Sequence, residues 1–231
     1  MCRIVGEIAS EAVRKHLTKS VSNEIWRHAV QQAEAQALRV FSANLHKILM
    51  VPPLSQYSPP DIQSLSICGI DPGQKNGHKI VVLNNQQVVV EQCIVRYMNS
   101  EDKLDECVSK MMKLFRHHCP IVVGIGNGTG CLEAMTLAGT CIKRMQAADG
   151  TSALGYCVVS EAGASVYSAS QTARSEYPET SINFLGAISI AQRVRDPMSE
   201  LVKISPDALG VGMYQKVIPF FYHYVHFYSQ N

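Results

Sequence analysis

Four of the ten prolines fall within nine positions, at Pro52, Pro53, Pro59 and Pro60. Proline lacks a backbone donor and turns its predecessor away from helix, so no regular element can run through this stretch. The chain therefore reads as two pieces joined by a linker over 52–62, and the hydrophobic period differs on the two sides. From 22 to 50 the apolar residues Trp26, Val30, Ala33, Ala37, Phe41, Leu45 and Ile48 recur at helical spacing. Ser22 is the predicted cap, with Glu24 in the first turn, and Arg27, Glu34, Arg39 and Lys47 occupy the spare face. No second helix in the same stretch takes up the apolar stripe. Residues 1–51 are thus expected to be a helical segment, the remnant of a larger helical region.

Beyond the linker the runs shorten. Residues 65–71, 79–83 and 88–95 read as strands, the last two joined at Asn84-Asn85-Gln86. A helical pattern follows over 104–117, then a strand over 120–125, a helix over 130–148, a strand over 156–160, and helices over 162–177 and 182–195. The order is βββαβαβα with a further helix, which predicts an α/β fold: a mixed sheet with helices on its faces. That order is the ribonuclease-H-like one, and it occupies 63–205.

Composition suits a packed core, with 46% hydrophobic and 17% charged residues. The 21 Lys and Arg against 19 Asp and Glu leave a net charge of +2, so any phosphate contact must come from a local patch. The first twenty residues carry Arg3, Glu7, Glu11, Arg14, Lys15 and Lys19 and show no apolar core of a secretory signal. No run approaches the roughly 18 residues of a membrane-spanning helix. None of the eight cysteines is spaced C-x-x-C, so they are expected to be buried free thiols of a reducing, intracellular compartment, nucleus or cytoplasm.

Three places carry candidate chemistry. Asp71 ends the first strand just before Pro72-Gly73, where a carboxylate faces the crevice in which open α/β sheets bind ligands. It reads equally as a turn-initiating Asp. Gly124-Ile-Gly-Asn-Gly-Thr-Gly130 links a strand to a helix, where backbone N–H groups can approach an anion, although a tight connection explains it as well. Glu161 also stands at a strand end and shares a sheet edge with Asp71 if strands one, four and five are adjacent and parallel. Two such carboxylates can hold Mg²⁺, while Ser160 and Glu161 can instead be the cap and first turn of the next helix.

Gly69-Ile-Asp-Pro-Gly73 with Gly77-His-Lys79, Ile125-Gly-Asn-Gly-Thr129, Ser160-Glu-Ala-Gly-Ala-Ser-Val-Tyr-Ser-Ala-Ser170, Gly186-Ala-Ile-Ser-Ile190 and Asp196-Pro-Met-Ser-Glu-Leu-Val-Lys-Ile204 resemble the YqgF-like domain of the Tex family. These are bacterial transcription accessory proteins and eukaryotic relatives with an OB-type RNA-binding domain. The resemblance spans about residues 65–215 in order. It implies a ribonuclease-H-like fold akin to Holliday-junction resolvases, within a nucleic-acid-binding protein of transcription and RNA metabolism. It carries the first-strand acid of such nucleases onto Asp71 and the acid after strand five onto Glu161. A fourth-strand acid near Gly126-Asn127 is absent, and the last-helix acid would fall in Phe184-Leu185-Gly186-Ala187, where there is none. Asp196 lies a helix length further on.

Two carboxylates hold at most a weak, water-rich Mg²⁺. The expectation is therefore a non-catalytic domain without a cofactor, Asp71 and Glu161 being vestigial, and nucleic acid, RNA or DNA, as the partner. The predicted contact surface combines Lys75, Lys79, Asn127, Gly128, Thr129, Arg193 and Arg195. The rivals are an Mg²⁺-dependent structure-selective nuclease using Asp71 and Glu161, and a protein scaffold within the transcription or translation machinery, with no membrane partner in either case. Residues 206–231 read as the start of a missing helix-hairpin-helix region. They end in an atypical tail with six of the sixteen aromatics between 220 and 228, expected to be poorly ordered.

Overall fold

The computed structural model describes residues 2–54, 66–96, 101–149 and 154–213. The aromatic tail and most of the linker lie outside the described residues. The chain divides into two compact units. Among the described residues, one holds those up to His46 together with 211–213, and the other runs from Lys47 to Gly210.

In the first unit, helix α1 (Cys2–Ala12) passes through a π-helical turn, Val13–Leu17, into α2 (Thr18–Leu49). The helix thus begins well before the predicted start, and Ser22 is an interior residue rather than a cap. Residues 2–21 contain no proline, and Arg3–Glu7 at 3.4 Å and Lys15–Glu11 at 2.5 Å add ion pairs at the helical spacing of four. At the π turn the Thr18 hydroxyl donates to Val13 O at 3.0 Å. Phe41 is the buried side chain of α2. Asn44 Nδ2 donates to Val211 O at 2.8 Å, and a Cβ on Gly212 would collide with the Phe41 ring. Trp26, expected on the buried stripe, is 71% exposed.

The second unit is built on a five-stranded sheet of β1 (Ile67–Asp71), β2 (His78–Leu83), β3 (Val89–Val95), β4 (Val122–Gly126) and β5 (Gly155–Val159). The spatial order is β3-β2-β1-β4-β5. β1 is antiparallel to β2 and β2 to β3, whereas β1, β4 and β5 are parallel. This is the mixed sheet expected from the βββαβαβα order, and it places Asp71 and the end of β5 at the same end of the sheet.

Helices cover both faces. α3 (Glu101–His118) and α4 (Cys131–Asp149) pack over one core of Cys68, Ile70, Ile80, Val82, Met111, Phe115, Val123, Ile125, Leu137 and Cys141. On the other face α7 (Ile182–Arg195) crosses β1, β2 and β4, and every residue from Leu185 to Arg193 is buried. Its approach to β1 is close enough that a Cβ on Gly69 would collide with Ala187 O and lie 2.8 Å from Ala191 Cβ. Strand β1 therefore needs glycine there.

The single helix expected over 162–177 is two: α5 (Ala164–Ala169) and α6 (Gln171–Glu176). Between them Ser170 is extended, and its hydroxyl accepts the Ala173 N–H at 3.2 Å, so a new cap interrupts the helix. A short helix, α8 (Pro197–Leu201), ends the layer. Its cap is Asp196, whose Oδ1 accepts the Ser199 N–H at 3.3 Å and Oδ2 the Ser199 hydroxyl at 2.5 Å. Proline at the first helical position is pre-set for that turn. Asp196 is thus committed to α8.

Candidate functional site

Asp71 is the last residue of β1, and the antiparallel register sets it opposite Lys79 of β2. Paired residues on a sheet point to the same face, so the two side chains meet, and Lys79 Nζ donates to Asp71 Oδ2 at 3.0 Å. Their side chains are only 22% and 24% exposed. Between them the chain turns through Pro72–Gly77. The Gly73 N–H donates to His78 Nδ1 at 3.4 Å, and burial pushes the His78 pKa down against the fields of Glu133 and Asp71.

Strand alternation turns Asp71 toward α7, and there it meets Gly186. A Cβ on Gly186 would lie 3.0 Å from Asp71 Oδ2. The place on the last helix that faces the first-strand acid is therefore held by the residue with no side chain. Asp196, ten positions on, is roughly 15 Å further along the helix.

The loop after β4 closes the other side. The Asn127 N–H donates to Val159 O at 3.0 Å and its Oδ1 accepts the Glu161 N–H at 3.0 Å, so Asn127 ties the ends of β4 and β5 together. The Glu161 carboxylate accepts the Gly128 N–H. It lies so close that a Cβ on Gly128 would overlap it, and one on Gly126 would stand 2.8 Å from Glu161 Oε2. A loop amide read as an anion cradle thus already holds an anion, the chain's own carboxylate. Burial first, then the charge of Asp71, raise the Glu161 pKa, while the Gly128 bond, Arg193 and Lys79 oppose that rise. Ser160 and Glu161 do not begin the next helix, since α5 starts at Ala164 after Gly163 at φ +73°.

Of the predicted contact residues, five gather at this end of the sheet. Gly130 packs on Gly73 and Gln74, which sets the exposed Lys75 beside the loop carrying Asn127, Gly128 and Thr129, with Lys79 in its ion pair below. The two arginines do not belong to that surface. Arg193 is 5% exposed, and its Nη1 donates to Ser160 O at 2.6 Å from inside the α7 layer. Arg195 donates to Asn85 O at 3.2 Å and Asn84 O at 2.7 Å. It thereby clamps the β2–β3 turn at the opposite end of the sheet, where Ile67 pairs with Leu83.

A polar cluster that the sequence does not announce joins α5, α6 and α8. The buried Tyr167 donates from its hydroxyl to Glu176 Oε2 at 2.6 Å, and Lys203 Nζ donates to Glu176 Oε2 and Glu200 Oε2, each at 2.9 Å. Lys203 and Glu200 stand in the Asp196–Ile204 motif, and spacing alone does not reveal that they close on Tyr167. Among the described residues no group of three His, Cys, Asp or Glu could hold a metal ion. No described helix is long and apolar enough to cross a membrane.

A family model for the Tex protein YqgF-like domain matches residues 65–195. The chain is 37% identical over 213 residues to Protein tex of Bordetella pertussis, covering 92% of this chain and 25% of that one. It is 35% identical over 202 residues to the transcriptional accessory protein Tex of Neisseria gonorrhoeae, covering 87% and 25%. With the human S1 RNA-binding domain-containing protein 1 it shares 32% over 215 residues, covering 93% and 20%. The chain thus spans about a quarter of the length of the curated relatives it matches. Among solved structures, Thermus thermophilus RuvC in complex with a Holliday junction substrate is similar over 60% of this chain and 95% of that one, at 11% identity and a TM-score of 0.41.

Proposed function

The chain belongs to the Tex protein YqgF-like domain family, and from that premise we propose that it is a nucleic-acid-contacting, non-hydrolytic domain of transcription and RNA metabolism. RNA is the first partner to test, because relatives are named as a transcriptional accessory protein and an S1 RNA-binding domain-containing protein. The seven free cysteines among the described residues suit action inside the cell.

The ion pair between Lys79 and Asp71 carries this reading. Two-metal hydrolysis needs several carboxylate oxygens to neutralise two divalent ions and clamp the attacking and leaving oxygens. The donor set does not fit that group. Asp71 already has an ammonium at 3.0 Å, Glu161 is bound to its own loop, and the facing position on α7 is Gly186. An ammonium on one carboxylate supplies the neutralising charge that a cation would bring, with no water to activate.

What this end of the sheet offers outward is the exposed Lys75 together with the exposed Asn127 and Thr129, the Asn127 and Gly128 amides being already bonded to Val159 O and Glu161. Such a set suits a phosphodiester backbone rather than base edges, so binding should be tolerant of sequence. The test is a salt titration of binding to structured RNA and to branched DNA, with and without Mg²⁺ or Mn²⁺. Binding that falls about tenfold between 50 and 200 mM salt, weakens for Lys75→Ala and leaves the nucleic acid intact agrees with the proposal. Salt-independent binding, or none, favours a protein scaffold instead.

A further inference from the structure

We propose that the free edge of β5 pairs antiparallel with the β5 of a second copy of this chain, with Cys157 facing Cys157 across the two-fold axis. Among the described residues the two edge strands of the sheet are β3 and β5. Unpaired edges invite association unless charge, proline, a bulge or a cover blunts them. The β3 edge is blunted. It carries the exposed Glu91, and its register with β2 shifts at Val82 and Leu83. β5 reads Gly155-Tyr-Cys-Val-Val159, with no charge and no proline, and its register with β4 is unbroken.

The hydrogen bonds at the two ends of the β4–β5 ladder identify the open groups. The Gly155 N–H donates to Ile121 O at 3.4 Å and the Asn127 N–H to Val159 O at 3.0 Å. In a parallel ladder alternate residues bond to the neighbour, so Gly155, Cys157 and Val159 face β4. The N–H and C=O of Tyr156 and Val158 point out of the sheet. Among the described residues nothing bonds to these amides. Both side chains are large, apolar and open, Tyr156 at 41% and Val158 at 48% exposed.

The sequence of the strand argues for a second copy as the occupant. An antiparallel pair centred on Cys157 sets Tyr156 against Val158 of the other copy, and Val158 against its Tyr156. Each outward-pointing residue then meets an outward-pointing one, and each such pair exchanges both of its backbone bonds. Aromatic on β-branched is a favourable cross-strand pair. Cys157 falls at the non-hydrogen-bonded position, where facing Cα atoms stand about 4.5 Å apart and side chains are closest. A small neutral residue fits there. From Leu154 to Ser160 there is no charge, so the self-pairing opposes no like charges. The strand is short, which makes this a weak, transient association.

The test uses the whole chain. Sedimentation over about 10 to 300 µM should show the average mass rising from 25.4 kDa toward twice that value. A short bis-maleimide should give a cross-linked dimer whose adduct maps to Cys157 on both chains. Val158→Lys, on the exposed edge, should cut the yield about tenfold with an unchanged melting temperature. Cys157→Ser should abolish the cross-link and leave the sedimentation shift. A monomer throughout, adducts mapping to other cysteines such as the exposed Cys119, or association indifferent to Val158→Lys would each overturn the proposal.

Discussion

Lys79 and Asp71 face each other across the first two strands, with Nζ 3.0 Å from Oδ2. The cation beside the first-strand acid is part of the chain. Replacing Lys79 by Met should leave Asp71 and Glu161 sharing a site with no fixed cation between them. The variant is expected to melt lower, and Mn²⁺ at millimolar concentration should raise its melting temperature while leaving the parent chain unmoved. Differential scanning calorimetry with and without metal decides this. Equal metal response in both proteins would mean that Lys79 does not stand in for a cation.

Glu161 lies on the loop that a Cβ at Gly128 would invade. Gly128→Ala alone should therefore cost about 2 kcal/mol or more, as overpacking and strain do. In a Glu161→Ala background the same change should cost well under 1 kcal/mol, because the obstructing carboxylate is gone. Urea denaturation of the four proteins of this cycle measures the coupling. Additive costs would show that the two residues do not meet.

The raised pKa of Glu161 has a pH consequence. A carboxyl whose folded pKa lies above its unfolded value holds its proton more tightly when folded. Its contribution favours the fold at low pH and is lost as pH rises from the unfolded pKa through the folded one. Glu161→Gln keeps an acceptor for the Gly128 N–H and removes the charge beside Asp71. The variant should melt about 2 °C higher at pH 7. That advantage should shrink as pH falls toward the ordinary glutamate range. An advantage that is constant with pH would rule out ionisation of Glu161 as its source.

Cys119 follows the last turn of α3 with φ +46°, and its N–H donates to Phe115 O at 2.8 Å. This is the left-handed closing position where helices favour glycine. Cys119→Gly should stabilise the chain by about 0.5 kcal/mol, the relief of left-handed strain exceeding the extra chain entropy of glycine. Chemical denaturation checks the sign.

Much of the sheet was legible because prolines, glycines and period changes punctuate it. Pro72-Gly73 ends β1, Asn84-Asn85 turns β2 into β3, and strands alternate with helices afterwards. The division of 162–177 at Ser170 was not legible. Serine is tolerated inside a helix, and only its bond to the Ala173 amide reveals a cap. The arginines misled for a physical reason. Charged residues are mostly exposed, yet α7 is buried from Leu185 to Arg193 and takes Arg193 inside, where Ser160 O receives it. Asp71 and Glu161 were legible as strand-end carboxylates. Their partners were not, because the Lys79 contact depends on strand register and the Gly186 contact on how α7 crosses β1.

The most direct measurement is the fate of a labelled RNA hairpin and a labelled four-way DNA junction held with the protein in Mg²⁺ and then Mn²⁺, resolved by length. The account predicts salt-sensitive retention of the nucleic acid with every strand intact, for the parent chain and for Asp71→Asn alike. Cleavage by the parent chain that disappears in Asp71→Asn would contradict it.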